Sequence, residues 1–177
     1  MSGNKRWIIK ITCTSIATSM IFTLVSTQAL GGAGYIAAVS ALVVFIALGI
    51  IFDIIGVAVT SASEAPFHSM AAHRERGASE AIRLVKNAGK VSSVCNDVVG
   101  DIAGIISGAT AALVAGRLSV NLSVSEIIMQ LVVSGAVTGA TIGGKAAGKL
   151  LAISRTNAIL LRIGKIISVF SKQQAKP

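Results

Sequence analysis

The 177-residue sequence is poor in charge, in aromatic residues and in cysteine. Only 13% of its residues are charged, about half the proportion in a typical soluble domain. So few charges cannot cover the surface of a globule in water, and the composition excludes a soluble domain. The two cysteines, Cys13 and Cys95, lie inside apolar stretches, so neither a disulfide framework nor a zinc site is indicated. What the sequence has is 53% hydrophobic residues and 18 glycines, a mixture typical of helices that pack closely in lipid.

Four apolar segments are long enough to cross a bilayer, which takes about 20 residues. They cover residues 7–30, 35–62, 91–116 and 122–144, and a tight turn at residues 31–34 separates the first two. The first segment follows basic residues, as a signal peptide does, but it lacks an obvious A-x-A-like cleavage site and three more spans follow it. We therefore expect an all-α polytopic membrane protein with about four transmembrane helices.

Two further segments are amphipathic and are expected to lie at the membrane surface. Residues 66–90 should form two short helices, the first opened by Pro66 and the second following a break at Gly77. Residues 156–172 place apolar side chains near helical spacing with basic residues between them. Such a basic helix either rests on the anionic headgroups or packs on its own protein, and the pattern supports both alternatives.

The basic residues predict the orientation of the four spans. With both termini in the cytoplasm, 15 of the 16 Lys and Arg residues lie on the inner side and only Arg117 lies outside. This distribution follows the positive-inside rule, so we expect a multi-pass protein of a bacterial-type inner membrane. Because topology explains the basic charge and the aromatic residues lie mostly in the spans, we expect a lipid bilayer as partner and no nucleic acid.

Three of the seven acidic residues are predicted at membrane depth. A charge at the centre of a spanning helix costs about 2.5–3.5 kcal/mol on insertion scales, so such a residue usually faces a partner or a cavity. Asp97 and Asp101 are four residues apart and share a helix face. Together with Asp53 and Asn96 they offer the oxygen ligands that a hard cation such as Mg²⁺ prefers. We therefore name Asp53, Asn96, Asp97 and Asp101 as the candidate metal ligands.

The alternative is that these acids are structural. Asp53 or Asp97 would then form an ion pair with Lys145 or Lys90 and hold two helices together. No Ser/His/Asp or Cys/His constellation and no Walker spacing occurs in the sequence. We expect neither an enzyme nor an organic cofactor.

Several motifs follow one another between residues 52 and 97. In order they are Phe52-Asp53, AVTSAS at 58–63, AAHRERG at 71–77, AIRLVKN at 81–87 and VSSVCND at 91–97. The stretch from about 52 to 116 resembles the transmembrane domain of the CNNM/CorC (CorB-like) magnesium transporter family. That family has patterns such as F-x-S, A-L-T-S-L-S, A-x-x-G-x-x-x-A-x-x-x-L-x-L and L-S-x-x-x-x-G-N-N in the same order.

The resemblance implies a helical homodimer with three core spans per subunit and a magnesium site in a cytoplasm-facing cavity. The family's ligands are a serine, an asparagine and a glutamate on three successive helices. By position the serine corresponds to Asp53 and the asparagine region to Asn96 and Asp97. The family's Glu-x-x-Pro-Lys motif falls on residues 141–145, where Lys145 remains but the glutamate and proline are absent.

The resulting organisation has three parts. Residues 1–34 form an additional N-terminal transmembrane helix, residues 35–155 a CNNM/CorC-like core that includes the surface helix–turn–helix 64–90, and residues 156–177 a basic amphipathic juxtamembrane helix and tail. The expected function is binding or transport of magnesium or another divalent cation without cytoplasmic sensor domains. The alternative is a non-transporting membrane interaction or regulatory protein whose intramembrane acids form acid–base pairs.

Overall fold

The structure, a computed structural model, describes the backbone of residues 2–31 and 34–174 and the side chains of residues 6–24 and 34–169. Within these ranges helices are the only regular secondary structure and no strand is present, which confirms the all-α prediction. The elements in order are α1 (Ser2–Gly31), α2 (Tyr35–Ser61), α3 (Ala65–Ala72), α4 (Ala78–Lys86), α5 (Ala88–Ser93), a π-helix (Val94–Gly100), α6 (Asp101–Leu122), α7 (Glu126–Ser154) and α8 (Thr156–Gln174).

Four helical stretches in the described part are long and apolar enough to cross a membrane, as predicted. They are Arg6–Leu24 within α1, Tyr35–Ser61, the continuous run Ala88–Leu122 and Glu126–Ser154. The predicted ends of the last two were wrong: the third stretch extends beyond 91–116 in both directions, and the fourth begins at Glu126 and continues ten residues past 144. Charged residues limit the apolar part of a helix without breaking its backbone hydrogen bonds, so Lys145 and Lys149 lie inside α7.

Turn residues mark the true ends of several helices. Ser123 has φ +51° and ends α6, and Gly77 has φ +86° immediately before α4. Pro66 occupies the first turn of α3, where its missing N–H costs no helical hydrogen bond. Two short helices on either side of Gly77 are therefore confirmed, and a third, α5, starts within the same predicted range. Their location at the membrane surface stays a prediction. The predicted turn at residues 31–34 includes Gly32 and Ala33, which lie outside the described residues.

The chain divides into two compact units, Met1–Ile50 with Asp97–Gly144 (unit 1) and Ile51–Asn96 with Lys145–Pro177 (unit 2). In unit 1, α1 packs on α6, where Ile11 meets a buried cluster of Val98, Ile102 and Ile106. The glycine repeats of α6 and α7 leave open space in the described structure: a Cβ added at any of five glycines would meet no atom within 4 Å. They are Gly104, Gly108, Gly135, Gly139 and Gly143.

Unit 2 has the larger buried core. Phe67 of α3, Val59 of α2 and Leu160 of α8 are fully buried in one cluster, and burying a side chain of this size contributes about 1.5–3 kcal/mol. At the crossing of α4 and α8, Gly77 lies directly against the backbone of Gly164. One face of α8 therefore packs on its own protein. Its other face leaves Ile166 and Val169 exposed.

Candidate functional site

Asp53 is the most buried charged residue in the described part of the chain and the only charged residue of α2. Only 7% of it is exposed. Its Oδ1 lies 3.9 Å from Nζ of Lys145, which belongs to the same unit. Its Oδ2 is buried and accepts no hydrogen bond. The carboxylate thus has a cation on one side and an unsatisfied oxygen on the other.

Asn96 presents a second buried oxygen without a donor. Its Nδ2 donates a hydrogen bond to Oγ of Ser92 at 3.3 Å, while its Oδ1 has no partner in the described structure. The amide lies in the π-helix, an element that often occurs at functional sites. The unpaired oxygen makes Asn96 a candidate site residue.

Gly56 provides the space for Asn96 beside α2. A Cβ at position 56 would contact Oδ1 and lie 2.8 Å from Cγ and 2.9 Å from Nδ2 of Asn96. Gly56 follows Asp53 by three residues, so both lie on the same face of α2 about one turn apart. Together with their contacts these residues form a polar site, which comprises Asp53, Gly56, Ser92, Asn96 and Lys145.

Two buried oxygens of the polar site have no donor in the described structure. An unsatisfied buried acceptor costs about 1–3 kcal/mol, and native proteins normally pair such groups with protein, water or an ion. Two acceptors, Asp53 Oδ2 and Asn96 Oδ1, carry this cost here. Carboxylate and amide oxygens are of the type that Mg²⁺ accepts as ligands, and this ion usually keeps several waters and takes few protein ligands.

The other two predicted ligands lie in unit 1. Asp97 and Asp101 line one cavity of about 620 Å³ between α1 and the beginning of α6. Facing them are the hydroxyl-bearing residues Ser15, Ser19 and Thr23, which are spaced by four along α1. Both carboxylates therefore line the same cavity, as their spacing predicts, and most of the surface that lines this cavity is apolar.

No three His, Cys, Asp or Glu side chains in the described ranges form a group that could hold a metal ion. The polar site offers one carboxylate and one amide oxygen, and the unit 1 cavity offers two carboxylates. The assignment of Asp53, Asn96, Asp97 and Asp101 as metal ligands stays a prediction. The ion pair between Asp53 and Lys145, one of the two alternatives that the sequence left open, is present in the structure.

Sequence reasoning missed Gly56 and Ser92. Gly56 had a detectable signal, since a glycine one turn after an intramembrane acid leaves room for a polar side chain from another helix. Ser92 precedes Asn96 by four residues, a spacing at which side chains meet along a helix. Neither signal shows which residue of another helix approaches.

Comparisons with protein-family models, with curated proteins and with solved structures found no match to this chain. The resemblance to the CNNM/CorC family accordingly rests on the motifs between residues 52 and 97.

Proposed function

We propose that this chain is a multi-pass membrane protein that binds a hard divalent cation, preferentially magnesium, at Asp53 and Asn96. We further propose that it transports this cation. The observation that carries the proposal is the pair of buried oxygens without donors, Asp53 Oδ2 and Asn96 Oδ1. Oxygen ligands of these two types suit Mg²⁺. An ionisable residue within an apolar span is also a functional candidate by default.

Lys145 supplies the counter-charge while the site holds no metal. Its ammonium lies 3.9 Å from Asp53 Oδ1, at the long end of the range for an ion pair, and 28% of its side chain is exposed. A divalent cation at Asp53 would repel this ammonium, which can move toward solvent on its flexible stem. Lys145 would therefore compete with the metal for Asp53.

The remaining features of the proposal come from the charge distribution and the family resemblance. The protein would lie in a bacterial-type inner membrane with both termini in the cytoplasm, because this places 15 of 16 basic residues inside. It would form a homodimer, as the CNNM/CorC resemblance implies. Asp97 and Asp101 would form a second, separate pair of carboxylates in unit 1.

Magnesium uptake into proteoliposomes tests the transport proposal. We expect uptake by the wild-type chain and a loss of at least tenfold in Asp53→Asn, which keeps the size of the side chain but removes its charge. Asp97→Asn measures the contribution of the unit 1 cavity, and Glu126→Gln, at the exposed start of α7, is the charge-matched control. Absence of uptake by folded wild-type protein, or equal uptake by wild type and Asp53→Asn, would refute transport through this site.

The second candidate is a non-transporting membrane interaction or regulatory protein, and the Asp53–Lys145 ion pair favours it. In that case the pair stabilises the packing of its two helices and no ion takes its place. Asp53→Asn would then lower the thermal stability of the purified protein and leave the magnesium content of cells unchanged. A change in cellular magnesium in this variant would exclude the second candidate.

A further inference from the structure

We propose that a cavity of unit 2 binds the phosphate-bearing headgroup of an anionic membrane lipid. The cavity lies between the α3–α4 turn, the start of α4 and α8, and it has a volume of about 460 Å³. Three cations, two hydroxyl groups and two acids line it. They are Arg74, Arg76, Lys165, Ser79, Ser168, Glu75 and Glu80. The residues that line this basic cavity are different from those of the polar site.

The charges of the basic cavity favour an anion. Glu75 Oε1 lies 3.8 Å from Nζ of Lys165, so this acid already has a cation. Arg74 and Arg76 have no ion-pair partner among the side chains that the structure describes. A guanidinium presents its donors as a fork that matches two phosphate oxygens. Two unpaired arginines therefore offer donors to a phosphate group, and within the described structure they outnumber the one unpaired acid of the cavity, Glu80.

The backbone around the cavity adds to this preference. Arg74 has φ +56° and Gly77 has φ +86°, and between them the chain turns back into α4. No side chain caps the start of α4. The N–H of Ala78 donates to the carbonyl oxygen of Glu75, which leaves the next N–H groups of the first turn for another acceptor. The positive end of a helix dipole favours an anion at the same place.

Exposed apolar side chains beside the cavity identify the occupant as a lipid. Val169 lines the cavity and is 63% exposed, and Ile166 on the same helix is 59% exposed. A free phosphate ion would leave both in water, whereas a lipid would cover them with its acyl chains while its headgroup meets the arginines. Apolar residues together with basic ones are the pattern of helices that bind anionic interfaces.

The position of α8 supports this arrangement. Gly164 lies against Gly77, so α8 is held on the turn that carries the arginines. Lys165, the next residue, reaches Glu75 of the same turn. The two alternatives for residues 156–172 are therefore compatible: one face of α8 packs on α4, and the other face would meet the lipid.

The test measures lipid binding by the full chain in neutral detergent micelles. Phosphatidylglycerol is titrated into the micelles, phosphatidylcholine serves as the neutral lipid, and the thermal unfolding midpoint reports binding. We expect phosphatidylglycerol to raise the midpoint of the wild type. In Arg74→Gln/Arg76→Gln the apparent affinity should fall on the order of 25-fold, the loss expected for two cations at an anionic surface. The single variant Arg76→Gln, with an expected loss of about fivefold, replaces the double variant if that one does not fold.

The control variant Arg83→Gln/Lys86→Gln removes two exposed charges from the same α4 without touching the cavity. It should lose clearly less affinity than the cavity variant. Equal losses in the two double variants, or no loss in the cavity variant, would overturn the proposal. Inorganic phosphate at the same concentration should leave the midpoint unchanged, and a shift equal to that with phosphatidylglycerol would assign the cavity to a soluble anion instead.

Discussion

At the scale of single residues, the central feature is Asp53, a carboxylate that is 7% exposed inside an apolar helix. The energetic cost of this charge was evident from the sequence, because an acid among the 26 uncharged residues of α2 needs a partner. Which partner it has was not evident. Lys145 lies 92 positions further along the chain, and only the packing of α2 and α7 within unit 2 brings the two side chains to 3.9 Å.

Gly56 is expected to be the residue of α2 least tolerant of a methyl group. In Gly56→Ala the new Cβ meets the amide of Asn96, so either Asn96 leaves the polar site or the helices separate. We expect the free energy of unfolding to fall by about 1–3 kcal/mol, the usual cost of overpacking. Thermal unfolding in detergent measures this loss.

Gly49→Ala is the matched control on the same helix. Its Cβ would meet Cβ of Ala103 at 3.5 Å, an ordinary van der Waals distance, so its stability should equal or slightly exceed that of the wild type. Equal stabilities of Gly56→Ala and Gly49→Ala would contradict the placement of Asn96.

Lys145→Met leaves Asp53 without its cation. We expect a loss of about 1–3 kcal/mol in EDTA, below the 3–5 kcal/mol of a fully buried pair, because the Lys145 side chain is 28% exposed. Magnesium should then stabilise Lys145→Met more than the wild type, since the competing ammonium is gone. Lys149→Met, which removes an exposed charge from the same helix, should behave as the wild type. An equal magnesium effect in wild type and Lys145→Met would contradict competition at Asp53.

At the scale of elements, hydrophobicity predicted which segments are helices better than where they end. The apolar run of α7 gives way to Lys145, but the helix continues to Ser154 because nothing interrupts its hydrogen bonds. The π-helix at Val94–Gly100 was not predicted. Its residues are equally compatible with a regular α-helix. Only the packing around them can favour the wider turn of a π-helix.

The crossing of α4 and α8 depends on two glycines. In Gly164→Ala the added Cβ would contact the carbonyl oxygen of Gly77 and lie 3.3 Å from the nitrogen of Ala81. Backbone atoms cannot move aside as a side-chain end can, so we expect destabilisation of at least about 2 kcal/mol. Gly89→Ala is the control, since its Cβ meets nothing within 4 Å. Chemical or thermal unfolding of both variants tests the contact, and a stable Gly164→Ala would exclude this crossing.

At the scale of the whole molecule, composition alone predicted the class: 13% charge and a mean hydropathy of +0.79 suit a membrane protein. Four apolar helices agree with that class. The candidate site could be predicted only in part, because the sequence identifies isolated acids but not the set of atoms that surrounds each one. Thus Asp53 and Asn96 belong to unit 2, whereas Asp97 and Asp101 belong to unit 1.

Orientation can be measured with single cysteines in a Cys13→Ser/Cys95→Ala background. Ser79→Cys and Ser123→Cys are both exposed, and the first lies among basic residues while the second lies near Arg117. By the positive-inside rule we expect a membrane-impermeant maleimide to label Ser123→Cys in intact spheroplasts and Ser79→Cys only after permeabilisation. The reverse labelling pattern would place the termini outside.

The most direct test of the central claim is the magnesium dependence of stability in the full chain. Thermal unfolding is measured in detergent with EDTA and with increasing Mg²⁺, for wild type, Asp53→Asn and the control Glu126→Gln. A site that binds only the folded state stabilises it by about 2.7 kcal/mol at a metal concentration 100-fold above the dissociation constant. We predict such a saturable shift in wild type and Glu126→Gln and its loss in Asp53→Asn. The same shift in Asp53→Asn, or no shift in the wild type, would contradict a cation site at Asp53.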